Sequence, residues 1–122
     1  MAVRGVRGAT VADFNTRDCI LSETKILLAE MLEKNEIDTD DIASIFFSLT
    51  CDLDAEFPAI AARELGLVDV PLLCMNELNI PGALPQCIRI LIHWNTDKPM
   101  AEIVHPYLKD AVKLRPDKFR SK

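Results

Sequence analysis

The chain has 122 residues, 49% of them hydrophobic and 27% charged, with a formal net charge of -5. That length supports one domain with a real core, and the composition excludes a chain too polar to fold. The negative balance excludes partners that reward clustered positive charge: nucleic acid and anionic membrane are not expected, and any anion site must be a local gathering of arginines.

Residues 2 to 11 mix β-branched residues with glycine and lack helical periodicity, which predicts a first strand with Val3, Gly5, Arg7 and Ala9 on one face. Thr16 suits the N-cap of a helix whose apolar stripe is Ile20, Leu21, Thr24, Leu27, Leu28, Met31 and Leu32, and Asn35 can end it. The acidic run Asp38 to Asp41 leads through a short helical turn into a second strand over 42–50. Pro58 fits the first turn of a short, alanine-rich helix over 59–65, closed by Gly66.

A third strand is expected over 68–75, with Pro71 pointing to an edge or a strand start. Proline and glycine make 79–85 a loop, and 87–94 reads as a fourth strand. Residues 103–114, with Val104, Tyr107, Leu108, Val112 and Leu114, read as a last strand. The polar segment after Arg115-Pro116 reads as a mobile tail.

This order predicts an α+β fold, a mixed sheet with helices on one face, in a single domain over 1–117 followed by a polar tail over 118–122. The uncovered sheet face and any edge strand need a partner, so a homo-oligomer is expected. Met1 to Gly5 form no apolar signal core, and no apolar run approaches the roughly 20 residues of a membrane helix, which predicts a cytoplasmic protein. Cys19, Cys51, Cys74 and Cys87 form no C-x-x-C pair and have no histidine at ligand spacing, so they read as reduced, mostly buried thiols rather than zinc ligands.

The chemistry is carried by the arginines. Arg7 and Arg89 lie in segments that otherwise read as buried strand, and a strand that aims a guanidinium inward needs an anion there, which can be a ligand. Taken singly, each candidate has a plainer reading. Arg89 is a strand arginine reaching a carboxylate, Arg7 a surface residue and Glu77 a solvated loop carboxylate; Cys74 is a small buried hydrophobe and Tyr107 a core residue with a satisfied hydroxyl. His93 and His105 have no carboxylate at a spacing that marks acid-base work.

Taken together the segments change the reading. Arg4-Gly5-Val6-Arg7-Gly8-Ala9-Thr10, Glu56-Phe57-Pro58-Ala59 with Arg63, Cys87-Ile88-Arg89-Ile90, and Tyr107-Leu108 followed by Leu114-Arg115-Pro116-Asp117 resemble the monofunctional AroH-class chorismate mutases, in order and over nearly the whole chain. The resemblance implies a homotrimer of pseudo-α/β-barrel shape with active sites between subunits, and rearrangement of chorismate to prephenate without cofactor, metal or covalent intermediate. It implies Arg89 beside the breaking ether oxygen, Arg7 on a carboxylate, and Glu77 near the ring hydroxyl and the ring's developing positive charge. It further implies Cys74 and Tyr107 as pocket partners, Phe57 as an apolar wall from the neighbouring subunit, and Arg63 and Arg115 at the cleft mouth. Ile60 and Leu73 stand where some relatives have lysine and threonine, and neither is given a polar role. Two other readings remain open on the residues: a trimeric imine or enamine hydrolase, which requires a water positioned near a glutamate, and a non-catalytic trimer that binds a small carboxylate.

Overall fold

In the computed structural model, which describes residues 2–114, strand β1 (Val3–Val11) sets the two faces on which the rest is built. Val6 and Gly8 turn toward the first helix, whereas Gly5, Arg7 and Ala9 share the opposite face, as alternation requires. That helix, α1 (Arg17–Lys34), starts where the Thr16 hydroxyl accepts from the Cys19 N–H, and it buries Ile20, Leu21, Thr24, Leu27, Leu28 and Met31. It ends at Asn35, whose buried amide donates to the Met31 carbonyl at 3.0 Å and the Val104 carbonyl at 2.8 Å and accepts from the Val104 N–H at 2.8 Å. The helix cap thereby anchors the C-terminal segment as well.

Gly8 is where strand and helix come closest: a Cβ there would stand 2.6 Å from Met31 Sδ and 3.0 Å from Leu27 Cδ1. Gly8→Ala is therefore expected to destabilise the fold by about 1–3 kcal/mol through overpacking. A thermal melt checks this, and an unchanged Tm would mean that α1 yields without cost.

A single turn at Thr39–Asp41 leads into β2 (Ile42–Leu49). Helix α2 (Ala59–Glu64) buries Ala59, Ala61 and Ala62 and carries the chain across to β3 (Leu72–Asn76), parallel to β2. Strand β4 (Cys87–Asn95) then inserts antiparallel between β1 and β2, giving the order β1-β4-β2-β3. The result is the expected α+β arrangement. Val6, Ile45, Phe47, Ile90, Ile92 and Trp94 of the sheet pack against Leu27, Leu28, Met31, Ala59 and Ala62 of the helices. Neither helix covers the other face, which carries Arg7, Phe46, Ser48, Leu73, Met75, Arg89, Leu91 and His93.

Several expectations change. Strand β3 begins at Leu72 rather than at residue 68, because Pro71 has no N–H to pair; its carbonyl instead accepts from the Ile45 N–H at 3.0 Å, and the strand lies at the sheet edge. The last strand is not formed among described residues 103–114. Tyr107 makes one parallel bridge with Ala9, and Lys109–Leu114 is a 3-10 turn. Pro106 offers no donor and Lys109 sits in the left-handed region at φ 55, so strand geometry stops after that bridge. All four cysteines are free, but only Cys87 is buried; Cys19 and Cys74 lie at the margins of the core and Cys51 is exposed in a loop. Arg115 and the tail over 118–122 lie outside the described residues. No described helix is long and apolar enough to cross a membrane.

Candidate active site

The strand arginines stand on the helix-free face, not in the core. Arg7 is exposed and the Arg89 side chain keeps 46% of its accessible surface. The expectation that their strands aim them inward therefore fails within this chain. Period-two alternation places Arg89 with Leu91 and His93, opposite the helices.

Arg89, near the start of β4, lies across from Ala9 of β1 and Ser48 of β2, two small side chains that leave its guanidinium room. Glu77 follows β3 directly, and its N–H donates to the Leu49 carbonyl at 2.8 Å, which continues the β2–β3 pairing by one residue. Its Oε2 lies 3.3 Å from Arg89 Nε and also accepts from the Ser48 hydroxyl. The carboxylate is thus held by a cation and a hydroxyl at once. A guanidinium carries five N–H donors, so an ion pair through Nε leaves donor capacity toward the cleft.

Arg7, Arg89 and Tyr107 border one hollow of about 350 Å³, with Phe46, Ser48, Met75, Leu91 and His93 among its other walls. His93 is oriented by the Ser44 hydroxyl, 3.2 Å from its Nδ1, and by edge-on contact with the Phe46 ring. A second hollow, also of about 350 Å³, lies beyond β3 and is lined by Leu53, Phe57, Pro58, Cys74 and neighbouring residues. Phe57 is 68% exposed there. Its loop is tied to α1, because the Phe57 N–H donates to Glu56 Oε1 at 2.9 Å while Glu56 Oε2 pairs with Arg17 Nε at 3.0 Å. Burial pushes the Cys74 thiol above its ordinary value, against a smaller opposing pull from the Ala59 backbone and Arg63, so it remains a neutral S–H at neutral pH.

The sequence matches the family described as chorismate mutase type I over residues 3–118. The chain belongs to that family. It is 47% identical over 116 residues to the chorismate mutase AroH of Thermus thermophilus, covering 94% of this chain and 95% of that one. It is 44% identical over 118 residues to the chorismate mutase AroH of Bacillus subtilis (strain 168), covering 96% and 93%. A solved chorismate mutase from Clostridium thermocellum superposes with a TM-score of 0.87 at 53% identity, covering 88% of this chain and 96% of that one. The chain is accordingly a chorismate mutase, an isomerase that converts chorismate to prephenate in aromatic amino acid biosynthesis.

For a chorismate mutase the disposition of the candidate residues is informative. One chain brings Arg7, Glu77, Arg89 and Tyr107 together on the open sheet face. It holds Phe57, Arg63 and Cys74 apart from them, on the α2 side of β3, and Met75 alone borders both hollows. Arg115 lies outside the described residues. Among the described residues no three histidine, cysteine, aspartate or glutamate side chains gather as a metal site.

Ser48, Leu91 and His93 are cleft residues that the sequence reading did not select. Alternation along β4 was enough to place Leu91 and His93 on the Arg89 face. The place of Ser48 beside Arg89 and Glu77 depends on β4 inserting next to β2, which no local pattern carries.

Proposed function

We propose that this chorismate mutase acts as a cytoplasmic homotrimer in which Arg7, Glu77, Arg89 and Tyr107 of one subunit meet Phe57, Arg63 and Cys74 of the next. The observation that carries the reading is the convergence of Arg7 and Arg89 on one hollow that the chain itself leaves open. Chorismate is a dicarboxylate enol ether, so two guanidiniums suit both its resting charge and its reaction.

In the rearrangement the ether C–O bond breaks ahead of C–C bond formation. Negative charge grows on the ether oxygen and positive charge on the ring. Arg89 beside that oxygen binds the transition state more tightly than the substrate, which is what raises the rate. Glu77, held by Ser48 and Arg89, opposes the ring's positive charge and accepts from the ring hydroxyl. Arg7 clamps a carboxylate and holds the substrate in the compact conformer that the chair-like transition state requires. Tyr107 adds a polar contact to a carboxylate. From the neighbour, the neutral Cys74 thiol reaches the ring hydroxyl and Phe57 closes an apolar wall, while Arg63 adds charge at the mouth, with Arg115 beside it. No residue in this scheme transfers a proton.

Loss of chorismate's ultraviolet absorbance with purified, metal-free protein tests the reading, with prephenate confirmed by its acid conversion to phenylpyruvate. Turnover without metal is expected; a folded but inactive protein would overturn it. Without a general acid or base, and with Cys74 kept neutral by burial, kcat is expected to stay nearly constant between about pH 7 and 8.5. A bell in that range would favour the hydrolytic chemistry instead.

A further inference from the structure

Strand β1 is an outer strand, so the N–H groups on its far side have no neighbouring strand to receive them. Residues 105–108 fill that place in part: the Ala9 N–H donates to the Pro106 carbonyl at 3.1 Å and the Leu108 N–H to the Ala9 carbonyl at 2.8 Å. Two residues earlier the acceptor is no longer backbone. The Arg7 N–H donates to His105 Nδ1 at 2.9 Å.

We propose that His105 is a positioning residue for the rearrangement: by accepting the main-chain N–H of Arg7 at Nδ1, it holds the strand edge from which the Arg7 guanidinium reaches the cleft. The inference rests on the reading that Arg7 clamps a substrate carboxylate. Accepting at Nδ1 requires a lone pair there, so the working ring is neutral with its proton on Nε2; the other tautomer would set two donors against each other. The same short segment sets Tyr107, two residues on, against Ala9 and into the same hollow as Arg7. His105 therefore registers two cleft side chains against one strand edge.

Geometry makes this matter for rate. A guanidinium stands at the end of a long, flexible stem, so a small rotation of its peptide is magnified at its tip. The open face beside Arg7 offers little to resist that rotation: besides Arg7 and His105 themselves, the adjoining hollow is lined by Gly5, Leu91, Met100, Ala101 and Ile103, none of which carries a charge to pair with the guanidinium.

The test compares His105→Asn, His105→Gln and His105→Leu in the full chain, measuring kcat and KM for chorismate beside a thermal melt. Asparagine places its carbonyl oxygen where Nδ1 stands; glutamine places its own near the Nε2 position; leucine has no acceptor. Leucine and glutamine are expected to lose on the order of 10- to 100-fold in kcat/KM, the scale of a roughly 1 Å misplacement, with both kcat and KM affected, while asparagine keeps most of the activity. If leucine does not fold, the asparagine and glutamine pair decides. Full activity in glutamine or leucine, or an asparagine variant as poor as leucine, overturns the proposal. Arg7→Ala separates the two readings. If it is unimpaired, the role given to Arg7 falls; if it is crippled while His105→Leu is not, only the role of His105 falls. In an Arg7→Ala background the His105→Leu change is expected to cost much less than in the wild-type chain, only what the placement of Tyr107 contributes, and an undiminished loss there would also overturn the proposal.

Discussion

Arg89→Ala is expected to lower kcat by about 100- to 1000-fold, the cost of removing one preorganised donor from a developing anion, while leaving fold and assembly intact. The two halves of that expectation have separate causes. The Arg89 side chain is half exposed and its ion pair with Glu77 is partly solvated, so its contribution to stability is at most about 1 kcal/mol. Glu77 also keeps the Ser48 hydroxyl and its own backbone bond to Leu49 after the arginine is gone, so the end of β3 stays in place. The catalytic loss arises because charge on the ether oxygen exists only in the transition state, where alanine offers it nothing. Arg89→Lys is expected to recover only part of the rate, since an ammonium cannot reproduce a planar fork that meets Glu77 and the substrate together. Initial rates from chorismate absorbance, with a thermal melt and sedimentation on the same samples, check both halves. A fully active Arg89→Ala protein would remove the electrostatic mechanism.

Much of the fold was legible because its elements announce themselves locally. The stripe from Ile20 to Met31, the Thr16 cap, the stop at Asn35 and the alanines of α2 all sit where period and capping chemistry put them. The C-terminal segment misled for a physical reason. Tyr107 and Leu108 are apolar because they pack against buried core residues, whereas Val104 is exposed, and the proline and left-handed residue beside them end strand pairing after one bridge. The candidate site was legible only as far as its arginines and the resemblance. That Arg89 stands between Ala9 and Ser48, and that Glu77 turns back to meet it, follows from the insertion of β4 between β1 and β2, a long-range event without a local signature. His105 escaped for the opposite reason: its spacing suggested no acid-base partner, and what it offers the site is an acceptor for a backbone N–H of β1.

Mixing two inactive proteins is expected to restore activity, and this is the sharpest test of where the site lies. In one subunit Arg89 borders one hollow and Phe57 and Cys74 border another, with Met75 of β3 between them. If the neighbour supplies the second group, an Arg89→Ala protein still carries an intact Phe57 and Arg63, and a Phe57→Ala/Arg63→Ala protein still carries an intact Arg89. Neither forms a whole site with copies of itself. Unfolded together at equal amounts and refolded, they assemble as random trimers in which a site is whole only when its two halves come from different proteins in the right order, about one quarter of all sites. Activity should therefore rise from near the background of either variant toward a quarter of wild type, and fall away as the ratio departs from one to one. Were each site built within one chain, no mixture could exceed the average of its components. Recovery above that average means that the open hollow beside Arg7 and Arg89 is closed by another copy of the same chain, and that the sheet face left bare by the helices is spent on building the active site.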